Sequence, residues 1–240
     1  SGLTSTNYSI TFSNGTLSVT SYALVVSADN KSRTYGAANP TLTGSLTGVV
    51  AGDNITASFS TVADTNSPVG AYSIVASLND PNNRLGNYSV TSSNGTLSVV
   101  PAELVVVAND ASRVYGQTNP VFSASYTGFV NGEDASVLGG ELNFSTTASV
   151  NSPVGTYPIE VSGVTSTNYS ITFSNGTLSV TSYALVVSAD NKSRTYGSVN
   201  PTLTGSLTGV VAGDNITASY STVADTNSPV GTYSIVTSLN

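Results

Sequence analysis

The stretch Tyr88-Ser-Val-Thr-Ser-Ser-Asn-Gly-Thr-Leu-Ser-Val-Val100 alternates apolar and hydroxyl residues on both sides of an Asn-Gly pair. Alternation with a period of two is typical of a β-strand with one buried face. Asn-Gly between two such runs is a strong signal for a β-hairpin, since both turn positions need a positive φ. The same pattern surrounds Asn14-Gly15 and Asn175-Gly176. The sequence therefore predicts a mostly β protein with a recurring hairpin.

This predicted hairpin is part of longer internal repeats. Residues 1–20 recur at 162–181 with one change, and residues 21–79 recur at 182–240 with five changes. A shorter period of about 80 residues lies inside the longer one, because Ser32-Arg-Thr-Tyr-Gly36 returns as Ser112-Arg-Val-Tyr-Gly116. Self-similarity at a fixed period is the signature of tandem modules.

The repeats predict four segments. Residues 1–20 are the C-terminal hairpin of an incomplete B-type module, 21–101 an A-type module, 102–181 a B-type module, and 182–240 an A-type module without its C-terminal hairpin. Each module is expected to be an Ig-like sandwich or a β-grasp-like unit with at most one short helical turn, best predicted at Gly132–Leu138. No Gly/Ser spacer separates the modules, which favours an elongated rod.

The composition excludes most chemistry. The 240 residues include no His and no Cys, and they contain 6 Lys and Arg in total against 13 Asp and Glu. Without His or Cys, neither a Ser–His nor a Cys–His nucleophile pair can form. The few cations give no basic surface for nucleic acid, and no apolar run approaches the length of a membrane span. We therefore expect no enzyme activity, no cofactor, no nucleic-acid partner and no membrane span in this segment.

Two interpretations of the chain termini remain open. The sequence is a window from a longer repeat chain, or the N-terminal hairpin of one subunit completes the C-terminal module of the next by strand addition. Strand addition would build a head-to-tail filament, with the chain itself as partner. The candidate assembly residues are Tyr8, Ile10, Phe12, Asn14, Gly15, Leu17 and Val19.

Four clusters of Asp and Asn side chains are candidate calcium-binding sites. The candidate ligands are Asp29, Asp53, Asp64 and Asp80, each with an Asn within three residues. Calcium takes six to eight oxygen ligands, but none of these clusters has the spacing of a known calcium loop. Asn and Asp also populate tight turns, which is the favoured interpretation here.

Tyrosines recur at fixed places in the repeats. Tyr35, Tyr115 and Tyr196 each precede Gly. Such a row could stack on sugars or on a partner protein. Recurrence in every module instead favours a packing role, with the ring buried and the hydroxyl at the rim.

One module carries a family resemblance throughout. The sequence from Tyr115-Gly-Gln-Thr-Asn-Pro120, through Tyr126-Thr-Gly-Phe-Val-Asn-Gly-Glu-Asp134, to Asn175-Gly-Thr-Leu-Ser-Val180 resembles the MBG domain of the Tyr-Gly-X type. That resemblance implies tandem arrays in large bacterial surface proteins, including filamentous-haemagglutinin-like adhesins. We therefore expect an extracellular stalk or fibre at the cell surface. The alternative is an adhesin module that binds a glycan or protein receptor through many weak repeats.

Overall fold

The computed structural model describes residue 2 and residues 4–240. It is almost entirely β within these residues and contains no α-helix, which confirms the predicted fold class. The chain divides into two compact units. The first comprises residues 1–102 with 130–133 and 167–170, and the second comprises residues 103–129, 134–166 and 171–240.

The A-type module at 21–101 has seven strands in two sheets. The strands are β1 (Tyr22–Ala28), β2 (Lys31–Thr34), β3 (Gly44–Thr47), β4 (Thr56–Ser60), β5 (Gly70–Asn79), β6 (Tyr88–Ser93) and β7 (Gly95–Val100). One sheet has the order β3-β1-β6 and the other β2-β7-β5-β4. Strands β1 and β6 are parallel, as are β2 and β7, while the other neighbours are antiparallel.

The B-type module repeats this topology. Its strands are β8 (Ala102–Ala108), β9 (Ala111–Val114), β10 (Ala124–Thr127), β11 (Gly139–Ser145), β12 (Gly155–Thr165), β13 (Tyr169–Ser174) and β14 (Gly176–Thr181). The sheet orders are β10-β8-β13 and β11-β12-β14-β9. Two separate sheets without an α-helix correspond to the sandwich alternative, since a β-grasp unit packs a helix on one sheet.

Alternating side chains from both sheets form the cores. In the A-type module Leu97 lies fully buried with Ala28, Ala63 and Ile74. Val106, Ile159 and Leu178 are fully buried at the centre of the B-type core. Burying a Leu or Ile side chain contributes about 1.5–3 kcal/mol, so these few positions decide which face of each strand turns inward.

The strands of the predicted hairpin form, but the prediction that they pair with each other is wrong. Residues on both sides of Asn94-Gly95 are strands, but β6 and β7 belong to different sheets, as do β13 and β14. Gly95 has no positive φ; a Cβ there would lie 2.4 Å from the carbonyl oxygen of Asp29. Glycine is therefore required for close backbone approach where the chain crosses between sheets. We call each such β6–β7 or β13–β14 pair a terminal strand pair.

The short helical turns are partly where the sequence predicts them. The B-type module has a 3-10 turn at Ala135–Val137, inside the predicted segment. The Asp134 side chain accepts a hydrogen bond from the Ser136 amide and so caps this turn. In the A-type module the 3-10 turn lies at Leu85–Asn87, which is not the repeat position of Ala135–Val137. There Asp80 accepts hydrogen bonds from two backbone amides, which lowers its pKa.

Residues 182–240 form four strands, of which the first and last are shorter than their counterparts β1 and β5. They are β15 (Val186–Ala189), β16 (Gly205–Thr208), β17 (Ala218–Thr222) and β18 (Ile235–Leu239), in two antiparallel pairs. This region contains no counterpart of β6 and β7. Strands β15 and β18 are therefore confined to the residues that still have a ladder partner.

The N-terminal segment has no strand between residues 4 and 21. The assembly candidates in it are exposed, with Tyr8 at 79%, Leu17 at 92% and Val19 at 91%. Residues 1 and 3 of the predicted 1–20 segment lie outside the described residues. Strand addition by this segment stays a prediction.

Candidate functional site

A buried arginine fixes the loop that carries the recurrent Tyr-Gly pair. We call residues 35–39, and their counterparts 115–119 and 196–200, the Tyr-Gly loop. Arg33 is 6% exposed and donates from Nε to Asn39 Oδ1 at 2.7 Å and from Nη2 to the Asp64 carbonyl oxygen. Asn39 in turn donates to the Ala63 carbonyl oxygen at 2.6 Å. The planar guanidinium suits this forked geometry and locks the loop against the module.

The same arginine arrangement recurs in the other modules. Arg113 donates to Asn119 at 2.7 Å and to the Ser149 carbonyl oxygen, and it is 7% exposed. Arg194 donates to Asn200 at 2.7 Å but is only partly buried. The loop is therefore built the same way three times, and each time it presents a tyrosine at the same place.

The first of these tyrosines reaches a carboxylate of the following module. Tyr35 is 4% exposed, and its hydroxyl donates to Glu133 Oε1 at 2.6 Å. The other oxygen of this carboxylate accepts from the Tyr169 hydroxyl at 2.5 Å. Tyr169 also accepts a hydrogen bond from the Val130 amide at 3.0 Å. One carboxylate thus joins a tyrosine from each of two modules, and we call this cluster the first joint.

Aromatic packing and a glycine complete the first joint. The rings of Tyr35 and Tyr169 meet edge to face, with centroids 5.7 Å apart. Gly36 has a φ of 78°, and a Cβ there would lie 2.4 Å from Val130 Cγ2. Any larger residue would push the two loops apart. This explains why Gly follows Tyr in the motif.

Further polar contacts surround the first joint. The Val69 amide donates to Asn168 Oδ1 at 3.1 Å, and the Ala102 amide donates to the Asn168 carbonyl oxygen at 3.0 Å. Asn131 Nδ2 contacts the Thr65 carbonyl oxygen at 3.3 Å. All of these residues belong to the first compact unit, although residues 130–133 and 167–170 come from the B-type module in sequence.

The second joint repeats the first with a shorter acid. The Tyr115 hydroxyl donates to Asp214 Oδ1 at 2.7 Å. A Cβ on Gly116, which has a φ of 79°, would lie 2.7 Å from Val211 Cγ2. Val211 and Asp214 occupy the repeat positions of Val130 and Glu133. The arrangement is therefore a property of the repeat and not of one pair of residues.

Asp53 and Glu133 also each hold a tyrosine of their own module. The Tyr88 hydroxyl donates to Asp53 Oδ2 at 2.5 Å and accepts from the Val50 amide at 2.9 Å, as Tyr169 does with Glu133 and Val130. Glu133 therefore has two functions. One oxygen anchors the terminal strand pair of its own module, and the other is the acceptor for the Tyr-Gly loop of the module before it.

The electrostatics keep these hydroxyls protonated. Burial, followed by the hydrogen bond to Glu133, raises the pKa of Tyr169 to about 12. The hydrogen bond to Glu133 is the main cause that raises the pKa of Tyr35, and the bond to Asp214 is the main cause for the pKa of Tyr115. A nearby carboxylate disfavours a second negative charge. The tyrosines are therefore donors at neutral pH.

The four predicted calcium ligands lie in separate turns. Asp29 accepts from the Thr43 hydroxyl at 2.5 Å and lies 3.9 Å from Lys31 Nζ. Asp64 accepts from the Asn66 amide and the Ser67 hydroxyl, while Asp53 and Asp80 have the partners given above. The described part of the chain contains no group of three or more acidic residues arranged around a metal position. Calcium binding at these four residues stays a prediction.

The joints were not predicted from the sequence. The tyrosines were expected to have a packing role with the hydroxyl at the rim. Asp53 was assigned to a tight turn or to calcium, and Glu133 lies in the predicted helical turn. A signal was present, because an acid recurs at one repeat position and a Tyr-Gly pair at another. The partners lie 98 and 99 residues apart, so no local pattern links them.

The family follows from these features. The MBG domain (YGX type) family matches residues 24–98, 104–179 and 185–240, and the chain belongs to this family. The Tyr and Gly of its motif are the residues that form the joints. A comparison with curated proteins finds no match. Among the described residues, none of the helical segments is long and apolar enough to cross a membrane.

Proposed function

We propose that the chain is a non-enzymatic structural segment of an extracellular bacterial surface protein, in which tandem MBG domains form a stiff stalk or fibre. The observation that carries this proposal is the repetition of the joint. Tyr35 with Glu133 and Tyr115 with Asp214 make the same contact at successive module boundaries. Because the joint is part of the repeat, each added module can make the same contact with the module before it.

The chemistry of the joint supports a mechanical role. A hydrogen bond to a carboxylate is shorter and stronger than a neutral one, and the edge-to-face rings fix the direction of approach. In tandem repeats, stability is the sum of the stability of each module and of its contacts with its neighbours. Contacts of this kind restrict bending between modules.

The same groups are poorly suited to catalysis. Their hydroxyls and carboxylates already bond to one another, and the raised pKa of Tyr35 and of Tyr169 opposes formation of a phenolate nucleophile. A surface location is supported by the family and by a chain without cysteine, which has no thiol to oxidise outside the cell. Antibodies against the chain should label intact cells of the source organism; labelling only after lysis would contradict the location.

Stiffness can be tested separately by a distance measurement. The absence of native cysteine allows two spin labels, at Ser73→Cys and Ser162→Cys, both exposed. Pulsed electron–electron double resonance should give a narrow distribution of the distance between the two labels in the parent chain and a broad one in Glu133→Ala. Glu141→Ala, which removes an exposed acid of the same module, is the matched control and should stay narrow. Equal widths in all three proteins would contradict the proposal.

A further inference from the structure

The loop that carries Glu133 into the first joint is a tight turn with an Asn-Gly pair at its centre. The Glu133 amide donates to the Val130 carbonyl oxygen at 3.0 Å and closes the turn. Asn131 has a φ of 56° and Gly132 a φ of 74°. Positive φ at both central positions defines a type I′ turn, which Asn-Gly adopts at low cost. The pair is therefore suited to this place by its backbone conformation.

The A-type modules build the equivalent turn without asparagine. Residues 50–53 and 211–214 are closed by the same amide-to-carbonyl hydrogen bond, at 3.1 Å in each. Their central pairs are Ala51-Gly52 and Ala212-Gly213, in which only the glycine has a positive φ. That is the geometry of a type II turn. The first joint thus contains an Asn-Gly pair where the second joint contains Ala-Gly.

An Asn-Gly pair can react with itself in water. The glycine nitrogen attacks the side-chain carbonyl carbon of asparagine, a C–N bond forms, and the bond to the side-chain nitrogen breaks. Ammonia leaves with the proton of the glycine amide. Water then opens the five-membered imide at either carbonyl, which gives aspartate or isoaspartate. Glycine favours the ring closure because it has no Cβ and its backbone rotates freely, and asparagine is accordingly among the thermolabile residues.

The turn leaves this reaction open at Asn131. Asn131 and Gly132 are both exposed. Among the residues that the structure describes, none accepts a hydrogen bond from the Gly132 amide, so no partner holds this nitrogen in place. The Asn-Gly pairs at 94–95 and 175–176 differ, because Gly95 and Gly176 are buried in β7 and β14. Ring closure at those pairs requires the strand to open first.

We propose that Asn131 is a site of spontaneous modification, at which deamidation loosens the first joint as the protein ages. The proposal rests on the stalk function, since it names a reaction that ends the stiffness of this joint. Asn131 Nδ2 donates to the Thr65 carbonyl oxygen at 3.3 Å. A carboxylate at residue 131 would set two acceptors against each other with no proton between them. It would also add a negative charge two residues from Glu133.

Isoaspartate has a further effect, because it adds a carbon atom to the main chain of the turn. On one side of the turn, the Val130 amide donates to the Tyr169 hydroxyl at 3.0 Å and the Val130 side chain packs on Gly36. On the other side, Glu133 accepts from both tyrosines of the joint. A longer turn therefore displaces both anchors of the first joint. The second joint has no asparagine at this position and keeps its contacts.

The modification is tested by peptide mapping of the full chain after incubation at physiological temperature and pH. Cleavage after glutamate releases residues 104–133, which contain Asn131 and no other Asn-Gly pair, and residues 161–240, which contain Asn175. Mass spectrometry should detect conversion at Asn131 about tenfold faster than at Asn175, because Gly176 must first leave its strand. Equal rates at the two positions, or no conversion at Asn131, would overturn the proposal.

The effect on the joint is measured in the same aged samples. Amide protection at Val130 should fall about tenfold in the converted protein, since a hydrogen bond across the joint is lost. Asn131→Asp should reproduce this fall in fresh protein. Asn143→Asp is the matched control, because Asn143 Nδ2 also donates to a main-chain carbonyl oxygen, but in β11 and away from the joint. Asn131→Ala, which reproduces the A-type pair, should not change with age.

The spin labels at Ser73→Cys and Ser162→Cys separate this proposal from the stalk function. Ageing should broaden the distance distribution of the parent chain, as Glu133→Ala does. If Glu133→Ala broadens it and ageing does not, the modification leaves the joint intact; the proposal is then wrong and the stalk function stands. If neither broadens it, the stalk function is contradicted and this proposal fails with it.

Discussion

Replacing Tyr35 by Phe removes one hydroxyl from the first joint and leaves its ring in place. The hydroxyl donates to Glu133 Oε1 at 2.6 Å, and the ring keeps its edge-to-face contact with Tyr169. A hydrogen bond to a charged acceptor contributes about 1.5–3 kcal/mol. Glu133 is only partly buried, so water can replace the lost donor. We expect a loss of about 1.5 kcal/mol in the local stability of the joint, or about tenfold in its opening equilibrium.

Amide hydrogen exchange at Val130 measures this loss locally. The Val130 amide donates to the Tyr169 hydroxyl, which shares Glu133 with Tyr35. Its protection should fall about tenfold in Tyr35→Phe, since exchange of a joint amide reports local opening. In a Glu133→Ala background, Tyr35→Phe should have little further effect, because the acceptor is already gone.

A second tyrosine serves as the matched control. The Tyr157 hydroxyl donates to the Pro153 carbonyl oxygen at 2.9 Å inside its own module, so Tyr157→Phe should leave Val130 protection unchanged. A change of less than about twofold in Tyr35→Phe would refute the reasoning, as it lies within the usual additivity error. An undiminished effect of Tyr35→Phe in the Glu133→Ala background would refute it as well.

Four further predictions concern the loops, the tyrosines and calcium. Gly36→Ala should broaden the spin-label distance distribution, because its Cβ would overlap the loop of the next module; Gly197→Ala, at a similar φ of 80° but with open space around it, should not broaden it. Arg113→Lys should destabilise its module by about 2 kcal/mol in denaturant unfolding, because the forked bonds of a buried guanidinium are lost, whereas Arg194→Lys, at an arginine that is only partly buried, should cost less; equal losses would contradict this. The folded pKa of Tyr169 is raised from 10.0 to about 12, so its contribution is complete below pH 10 and is lost as the pH rises through about 12; unfolding midpoints that are flat across this range would contradict the burial of that hydroxyl. A chelator should leave the melting temperature unchanged, since the four candidate carboxylates already accept hydrogen bonds within their modules; a rise on adding calcium would contradict this.

Local pattern predicted the strands but not all of their neighbours. The alternation in residues 88–100 predicts two strands correctly, because each strand buries one face. The Asn-Gly signal predicted a pairing between them that does not occur. Gly95 is instead required for close approach to the Asp29 carbonyl oxygen, which lies between β1 and β2. A glycine needed for a positive φ and a glycine needed for close approach look alike in sequence.

The joint depends on partners that are distant in the chain. Tyr35 and Glu133 are 98 residues apart, and their contact depends on how the Tyr-Gly loop is fixed by Arg33. Propensity and periodicity describe neighbouring residues only. Comparison of repeats could have revealed the acid at positions 53, 133 and 214, but not that its second oxygen accepts from the preceding module. That contact can be assigned only from the three-dimensional structure.

The most direct test of a fixed joint is a comparison of alignment tensors. Residual dipolar couplings of the full chain give one tensor for residues 21–101 and one for residues 102–181. The account predicts that both sets fit a single tensor in the parent chain, and that they separate in the Tyr35→Phe, Glu133→Ala double variant. Two different tensors in the parent chain would show that the modules reorient freely, and this result would contradict the account.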